Sequence, residues 1–289
     1  MPDNCSTLSL HHLAVGYKQA STTRIVAHHI TATIAPARLT CLIGENGIGK
    51  STLLRTLAAF QPPMEGTIQV VQLPEQTATP LAQLTTAALA RTIGVVLTEK
   101  PDLQDLTAFD VAGMGRTPYT GFWGRLTVAD RAIVNQSLRQ VGIHHLAARH
   151  VNTLSDGERQ KIMIAKALAQ QTPIIFLDEP TAFLDYPSKV STLRLLRTLA
   201  HQSRKTIFLS THDLELALQT ADELWLMMRP DSPAAPTAEA AAPSVPAPEP
   251  ASIVVGTPRQ LADNGTLTRF ISRPGITFVP ETLTIRVDQ

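Results

Sequence analysis

A glycine-rich segment that ends in lysine and serine is the strongest chemical signal in the sequence. Residues 44–51 read Gly-Glu-Asn-Gly-Ile-Gly-Lys-Ser and match the pattern G-x-x-x-x-G-K-[ST]. In this pattern the glycines let main-chain N–H groups curl around phosphate oxygens, and the amino end of the next helix adds positive potential. The lysine reaches the β- and γ-phosphates, and the serine hydroxyl binds Mg²⁺. The residues that we predict to bind a nucleoside triphosphate are Gly44, Glu45, Asn46, Gly47, Gly49, Lys50, Ser51 and Thr52.

Two adjacent carboxylates follow an apolar stretch further along the chain. Residues 173–179 read Pro-Ile-Ile-Phe-Leu-Asp-Glu, so Asp178 and Glu179 stand at the end of a predicted buried strand. A triphosphate-binding loop needs such a carboxylate to help hold Mg²⁺, and we assign this metal-binding role to Asp178 together with Ser51. Glu179 can then polarise the attacking water as a general base. The alternative, that Asp-Glu only starts a helix, is disfavoured by the phosphate-binding loop.

These side chains need a scaffold in which strands alternate with helices. The glycine-rich segment lies between an apolar strand at 39–43 and a helix that starts at Lys50. The carboxylate-bearing strand and the strand at 206–210 are each followed by residues with helical spacing. This alternation predicts an α/β fold with a mainly parallel sheet that is covered on both faces.

Other parts of the chain have different patterns. The first forty residues alternate like half-buried strands, with turns predicted at Gly16 and at 20–22, and further strands are predicted at 66–71 and 92–97. From about residue 102 to 170 the apolar spacing is helical, which predicts an inserted helical sub-domain. Residues 230–250 contain seven prolines and seven alanines without periodicity, which is typical of a solvated, polyproline-like insertion.

Length and composition exclude several classes of protein. The chain has 289 residues, and the 44% that are hydrophobic suffice for a buried core. Lys plus Arg number 25, Asp plus Glu number 24, and aromatic residues make up 4%, so we expect no nucleic-acid partner. We find no signal-peptide pattern and no apolar stretch near the roughly 20 residues of a membrane helix. The expected location is therefore the cytosol, or a membrane surface reached only through a partner.

The class of nucleotide hydrolase follows from what lies between the two motifs. Residues 51–98 contain no Asp, which excludes a GTPase of the switch type with its Asp-x-x-Gly motif. Residues 154–160 read Leu-Ser-Asp-Gly-Glu-Arg-Gln. One interpretation is a helix start in which Ser155 is the N-cap and Glu158 completes a capping box. The segment also resembles L-S-G-G-Q, the signature of the ATP-binding-cassette (ABC) ATPases, and both interpretations can hold together.

The resemblance to ABC ATPases implies roles for further residues. In that family the signature helix faces the γ-phosphate of ATP bound to the other protomer, which implies contacts in trans from Ser155, Asp156, Gly157 and Glu158. Tyr17 stands where the family has an aromatic residue that stacks on adenine, and the alternative is an ordinary tyrosine of a strand. Asp185 ends a segment that resembles the D-loop, and His212 matches the switch histidine that contacts the γ-phosphate, a second catalytic residue beside Glu179.

The sequence departs from the family at the signature and at the Q-loop. Asp156 and Glu158 replace a glycine and a glutamine, and the Q-loop glutamine expected after the strand at 92–97 is replaced by Thr98 and Glu99. We hypothesise that Glu99 approaches Mg²⁺ when the site closes. In the alternative, Thr98 contacts the metal through a water and Glu99 is solvated.

The resemblance also implies a domain organisation of the P-loop NTPase type. It predicts a RecA-like core with a mainly parallel sheet, an antiparallel β part and an inserted helical signature subdomain. The predicted ranges are 7–256 for the ATP-binding domain, 98–166 for the helical subdomain within it, 230–250 for the Pro/Ala-rich insertion, and 251–289 for a C-terminal hairpin and helix extension.

Several phrases resemble the importer ATPases for iron–siderophore, haem and cobalamin. They lie at 111–119, 179–185 and 256–259. That resemblance implies a homodimer with ATP and Mg²⁺ that powers integral-membrane permease subunits at the cytoplasmic face of the cell membrane and serves a periplasmic or surface substrate-binding protein indirectly. The alternatives are a non-transport ABC ATPase, acting in repair, on ribosomes or in cluster assembly, and an inactive interaction module.

An aromatic cluster is a candidate for docking the permease. Tyr119, Phe122 and Trp123 place three of the chain's 13 aromatic residues within five positions. Such a cluster suits a partner helix, whereas the alternative is a local core of the helical sub-domain.

Overall fold

The elements below belong to the part of the chain that the computed structural model describes, which is residues 5–19, 22–73, 77–98, 105–121, 123–229 and 249–287. The strands are β1 (Cys5–Gln19), β2 (Thr22–Thr33), β3 (Leu39–Gly44), β4 (Glu65–Leu73), β5 (Thr77–Pro80), β6 (Ile93–Val96), β7 (Ile174–Asp178), β8 (Thr206–Thr211), β9 (Glu223–Met228), β10 (Ser252–Gly256), β11 (Ile276–Val279) and β12 (Thr284–Val287). The α-helices are α1 (Lys50–Leu57), α2 (Thr86–Thr92), α3 (Ala108–Gly113), α4 (Val128–Gln140), α5 (Asp156–Ala169), α6 (Tyr186–Gln202), α7 (Leu214–Thr220), α8 (Pro258–Asp263) and α9 (Thr266–Ile271).

The central sheet has the strand order β10-β9-β3-β8-β7-β6. All its neighbours pair in parallel except β10, which is an antiparallel edge strand. Every residue of β3, β7 and β8 is buried, as expected for parallel strands with both faces covered. The predicted mainly parallel sheet is therefore confirmed. Because parallel strands end at one edge, the segments that follow β3, β7 and β8 meet there.

The core lies on both faces of this sheet. On one face Phe208 stands between Phe176 and Trp225 in edge-to-face contacts, with ring centroids 5.8 and 5.2 Å apart, and the leucines of α1 belong to the same cluster. On the other face the alternate residues of the strands, such as Leu177 and Leu209, pack with α6 and α7. Successive residues of a strand point to opposite faces of the sheet, so every second residue of β7 and β8 faces α1.

The predicted antiparallel part is a second sheet with the order β2-β1-β4-β5. The turn that we predicted at Gly16 is wrong, because Gly16 lies inside β1 opposite Ile25 of β2. A Cβ atom on residue 16 would stand 2.1 Å from the main-chain oxygen of Arg24. The close approach of two backbones explains this glycine, and no change of chain direction is involved.

Several other predicted elements are present with shifted bounds. The strand predicted at 92–97 begins at Ile93, since Thr92 is still the last residue of α2. Helices α3, α4 and α5 lie between β6 and β7 and pack against one another, and α5 also contacts β6. Near the carboxyl end, β11 and β12 form an antiparallel pair. Most of the Pro/Ala-rich segment predicted at 230–250 lies outside the described residues.

No helix among the described residues is both long enough and apolar enough to cross a bilayer.

Candidate functional site

The glycine-rich segment forms a loop between β3 and α1 whose backbone needs its glycines. Gly47 and Gly49 have φ angles of 73° and 118°, a region that side-chain-bearing residues rarely adopt. At Gly49 there is no room either, because a Cβ atom would lie 1.9 Å from Val26 Cγ1. Gly49 is also the N-cap of α1 and offers no side chain to satisfy the helix N–H groups. These donors can be satisfied by an anion such as a phosphate.

Lys50 is held inside the loop. Its Nζ donates hydrogen bonds to the main-chain oxygens of Gly44 at 2.9 Å and Glu45 at 3.2 Å, and its side chain is buried. Burial lowers the pKa of the Lys50 ammonium from its ordinary value, while the carboxylates of Glu179 and Asp178 act in the opposite direction. The lysine is thus a nearly desolvated donor that a phosphate oxygen can engage in place of the carbonyls.

Asp178, the last residue of β7, meets two hydroxyls from neighbouring elements. Its Oδ1 accepts a hydrogen bond from Ser210 Oγ at 2.6 Å and one from Ser51 Oγ at 3.3 Å. Strand register brings Ser210 of β8 opposite Asp178, and the loop–helix junction brings Ser51. A carboxylate and a hydroxyl that point at each other form an oxygen donor set of the kind that Mg²⁺ prefers. The residues present therefore fit the metal assigned to Ser51 and Asp178.

Glu179 and His212 lie side by side where β7 and β8 end. His212 Nδ1 is 3.8 Å from Glu179 Oε2, and the two side chains are 47% and 27% exposed. Glu179 has a φ angle of 46°, which turns the chain sharply after the buried strand. The two residues predicted to be catalytic are thus within reach of each other and of solvent, as a general base that receives a water molecule requires.

Thr98 lies beside the same carboxylate strand. Its Oγ1 donates a hydrogen bond to the main-chain oxygen of Asp178 at 2.7 Å, so the hydroxyl ties the end of β6 to the end of β7. Glu99, the other residue predicted at the Q-loop position, lies outside the described residues.

The D-loop region is connected to the loop after β8. Asp185 is the N-cap of α6, where its Oδ1 accepts from the N–H of Ser188 at 3.3 Å. Asp213 accepts from Thr181 Oγ1 and from Lys189 Nζ, each at 2.9 Å. The segment with Glu179 and Asp185 is therefore braced against the segment with His212.

Tyr17 and the phosphate-binding loop line one cleft, together with Arg24, Ile25, Val26, Ile48, Thr52, Arg229 and Glu249. Arg24 Nη1 donates to the Tyr17 hydroxyl at 3.2 Å, and the guanidinium carbon is 6.0 Å from the centre of the ring. Tyr17 is 37% exposed, so part of its ring is available to a planar group. Tyr17 and the phosphate-binding loop are therefore neighbours, and the adenine-stacking role of Tyr17 stays a prediction.

The signature segment begins α5 with a complete capping box. Ser155 Oγ accepts from the N–H of Glu158 at 3.3 Å, and Glu158 Oε2 accepts from the Ser155 N–H at 2.8 Å. The hydrogen bond from the Ser155 main chain lowers the pKa of Glu158, so the carboxylate is charged at neutral pH. Asp156 lies 3.9 Å from Arg159, and a Cβ atom on Gly157 would lie 3.4 Å from Ser188 Oγ. The segment is thus placed beside the start of α6.

The aromatic cluster is only partly described. The ring of Tyr119 contacts two arginines, with the guanidinium carbons of Arg116 and Arg91 at 4.0 and 5.1 Å from its centre. Arg116 is buried and paired with Asp130 at 2.9 Å. Trp123 is 81% exposed, and Phe122 lies outside the described residues.

Sequence reasoning did not assign a role to three side chains at this site. Ser210, Asp213 and Arg24 approach the predicted residues only through strand pairing or helix packing. Ser210 lies two residues before His212 and Asp213 directly follows it, and this closeness to a predicted catalytic residue was the available signal.

Comparison with known proteins assigns this arrangement to one family. Residues 27–182 match the family model described as ABC transporter. The uncharacterized ABC transporter ATP-binding protein MJ0873 of Methanocaldococcus jannaschii is 40% identical over 76% of this chain and 72% of its own. The achromobactin transport ATP-binding protein CbrD of Dickeya dadantii is 37% identical over 76% and 78%. The cobalamin import ATP-binding protein BtuD of Halobacterium salinarum is 37% identical over 68% of this chain and 47% of its own.

A solved structure shares the fold. The dimeric structure of MJ0796, a bacterial ABC transporter cassette, superposes with a TM-score of 0.62 and 25% identity over 76% of this chain and 93% of its own.

Proposed function

This chain belongs to the ABC transporter family, and we propose that it is the ATP-hydrolysing subunit that powers a membrane importer for an iron complex, siderophore or haem, or for cobalamin. The proposal of ATP hydrolysis is supported by one observation. Ser51 contacts Asp178, and Glu179 lies beside His212, at the carboxyl ends of the parallel strands. The cargo part is supported by the relatives named for achromobactin transport and cobalamin import.

Binding of ATP would use the loop and the cleft beside it. The N–H groups at the start of α1 and the Lys50 ammonium neutralise the phosphate oxygens, and Lys50 exchanges its carbonyl partners for them. Tyr17 stacks on the adenine from β1. Glu45, Asn46 and Thr52 are the further loop and helix residues that we propose to contact the nucleotide.

Hydrolysis would be carried out by the side chains at the carboxyl ends of β7 and β8. Ser51 and Asp178 would hold Mg²⁺, which when bound supplies Lewis-acid polarisation of the phosphate oxygens. Glu179 accepts a proton from the attacking water, and His212 contacts the γ-phosphate from the neighbouring strand end. Asp185 and its loop transmit the state of the site to the rest of the molecule.

A second copy of the chain would complete each site. We propose a homodimer in which the residues at the start of α5, Ser155, Asp156, Gly157 and Glu158, face the γ-phosphate bound by the partner subunit. ATP binding at the two shared sites then closes the dimer, and hydrolysis reopens it. The exposure of Ser155 and Asp156 supports this role, because both remain accessible to another molecule.

The permease would take up this motion at the cytoplasmic face of the membrane. We propose docking near Tyr119, Phe122 and Trp123, with Thr98 and Glu99 at the junction to the nucleotide, and a substrate-binding protein that acts only through the permease. The exposed indole of Trp123 supports an interface, since aromatic side chains are enriched in such contacts.

The test is reconstitution with the permease in vesicles, with uptake of ferric siderophore, haem and cobalamin measured at fixed ATP. The matched control is Glu179→Gln, which keeps ATP affinity and loses turnover by about 10²- to 10⁴-fold, because the amide cannot accept the water's proton. The variant should accumulate as an ATP-bound dimer in size-exclusion chromatography. ATP hydrolysis without uptake of any of the three cargoes contradicts the cargo assignment, and near-normal turnover in Glu179→Gln removes Glu179 from the role of base.

A further inference from the structure

A buried serine stands between the two carboxylate-bearing residues at the end of β7. Ser210 of β8 is fully buried, and its Oγ donates to Asp178 Oδ1 at 2.6 Å. The same oxygen accepts a hydrogen bond from the main-chain N–H of Glu179 at 3.0 Å. One hydroxyl therefore links the side chain of the metal-binding residue to the backbone of the base.

The link to Glu179 supports an unusual backbone. Glu179 has a φ angle of 46°, in the left-handed region that is unfavourable for a residue with a side chain. The turn takes its N–H out of the β7–β8 ladder, and Ser210 Oγ supplies the acceptor. Without the Ser210 hydroxyl, the poorly hydrated N–H of Glu179 would be left unpaired. The free-energy cost of that unpaired donor is large enough to displace the turn. Ser210 thus stabilises the conformation that brings Glu179 to within 3.8 Å of His212.

The link to Asp178 fixes the orientation of the carboxylate. Oδ1 accepts from both Ser210 and Ser51, and the bond from Ser210 is the shorter by 0.7 Å (3.3 Å against 2.6 Å). Ser210 is the buried partner, because it lies in a strand whose every residue is buried. Since a hydroxyl both donates and accepts, it can make these two bonds together, which neither a methyl group nor a thiol does as well.

We propose that Ser210 is a positioning residue of the hydrolytic site, which holds the Asp178 carboxylate for Mg²⁺ and the Glu179 turn for the attacking water. This proposal rests on the proposed function, because it gives Asp178 and Glu179 the roles assigned there. Ser210 itself contacts neither nucleotide nor metal in this scheme; it acts through its two neighbours.

The experiment compares Ser210→Ala and Ser210→Cys with the unmodified full chain. Binding of a fluorescent ATP analogue is measured with EDTA and with increasing Mg²⁺, and turnover is measured in parallel. In Ser210→Ala we expect affinity in EDTA to be unchanged, the Mg²⁺ concentration for half-maximal effect to rise about tenfold, and kcat to fall about 10- to 100-fold with KM changed less. Ser210→Cys should lie between, because a thiol is a weaker donor of similar size.

Thr206→Val is the matched control. Thr206 is a buried hydroxyl on the same strand that donates to the main-chain oxygen of Ser6 at 2.7 Å, at the end of β8 away from the carboxylates. This variant should lower the melting temperature without changing the Mg²⁺ dependence.

If Ser210→Ala does not fold, Ser210→Cys carries the same comparison. An unchanged Mg²⁺ dependence in the Ser210 variants, or equal losses with and without Mg²⁺, overturns the proposal. Absence of ATP turnover in the unmodified chain would contradict the proposed function instead.

Discussion

The carboxylate of Asp213 accepts a hydrogen bond from the Thr181 hydroxyl at 2.9 Å, across 32 residues of sequence. The second oxygen of the same carboxylate is paired with Lys189 of α6, also at 2.9 Å. Asp213 directly follows His212, and Thr181 lies two residues after Glu179. The loop with His212 is thus fastened to the loop with Glu179, so a displacement of one loop is transmitted to the other.

Asp213→Asn tests this brace. The amide keeps an acceptor for Thr181 but loses the ion pair with Lys189. In that pair the Lys189 side chain is 20% exposed and the Asp213 side chain is 17% exposed. We expect turnover to fall about three- to tenfold, ATP affinity to stay the same, and the melting temperature to drop by about 2–4 °C, equivalent to about 1 kcal/mol. The control is Asp263→Asn, which breaks the exposed pair with Arg259 and should leave both quantities unchanged. Equal turnover in the two variants would show that the brace has no part in hydrolysis.

Glu158→Gln should strengthen ATP-dependent dimerisation. The lowered pKa keeps Glu158 charged down to pH values below its ordinary range, so at neutral pH a negative charge stands where a partner's γ-phosphate is proposed to bind. A glutamine oxygen can still accept from the Ser155 N–H, so the helix cap persists. We expect the ATP concentration for half-maximal dimerisation to fall about two- to fivefold, measured by light scattering.

Asp110→Asn provides the comparison for that variant. Asp110 completes the same type of capping box with Thr107 at the start of α3, and its replacement removes the same charge from a different helix. We expect no change in dimerisation. A similar gain in both variants would attribute the effect to net charge and not to the signature helix.

Glu158 also makes the capping box dependent on pH. Its pKa is lower in the folded chain than in the unfolded chain. Its contribution to stability is therefore complete above the ordinary pKa of a glutamate and is lost as pH falls through the lowered value. The Gln variant should lose less stability on acidification in this range.

Tyr17→Ala should weaken binding of ATP but not of tripolyphosphate. The ring lines the cleft beside Gly47 and Gly49, so its loss removes stacking on the base while the phosphate donors remain. We expect the Kd for ATP to rise about tenfold, or about 1.4 kcal/mol, by calorimetry. Tyr17→Phe keeps the ring and loses only the bond from Arg24, and should bind ATP nearly as the unmodified chain does. A parallel loss of tripolyphosphate affinity would place Tyr17 on the phosphates.

Replacing residues 230–248 with a short Asn-Gly turn should leave fold and turnover unchanged. Met228 of β9 is paired with Ser252 of β10, so the two strand ends are already adjacent and a hairpin can join them. We expect the melting temperature and ATPase rate of the shortened chain to match those of the full chain. A fall of more than about 5 °C, equivalent to about 1–2 kcal/mol, would mean that the removed residues contribute to the folded core.

Local sequence was sufficient for much of the phosphate-binding loop and the helix cap. The spacing of Gly44, Gly49 and Lys50 between a strand and a helix predicted the loop, because the φ angles that a phosphate cradle needs are available to glycine. The capping box was predictable from the types and spacing of Ser155 and Glu158, because its hydrogen bonds join residues within one helical turn. Gly16 was misinterpreted as a turn because the same freedom of glycine also serves close strand pairing.

The rest of the site depends on contacts that no local pattern contains. The residue pattern alone is enough to identify the side chains that can bind phosphate, hold a metal or take a proton, and to place them at the ends of buried strands. The position of β8 between β3 and β7 is known only from the folded chain, and this order sets Ser210 opposite Asp178 and brings Ser51 to the same carboxylate. Strand order and register follow from how the two faces of the whole sheet are covered, which is a property of the complete core and not of any segment.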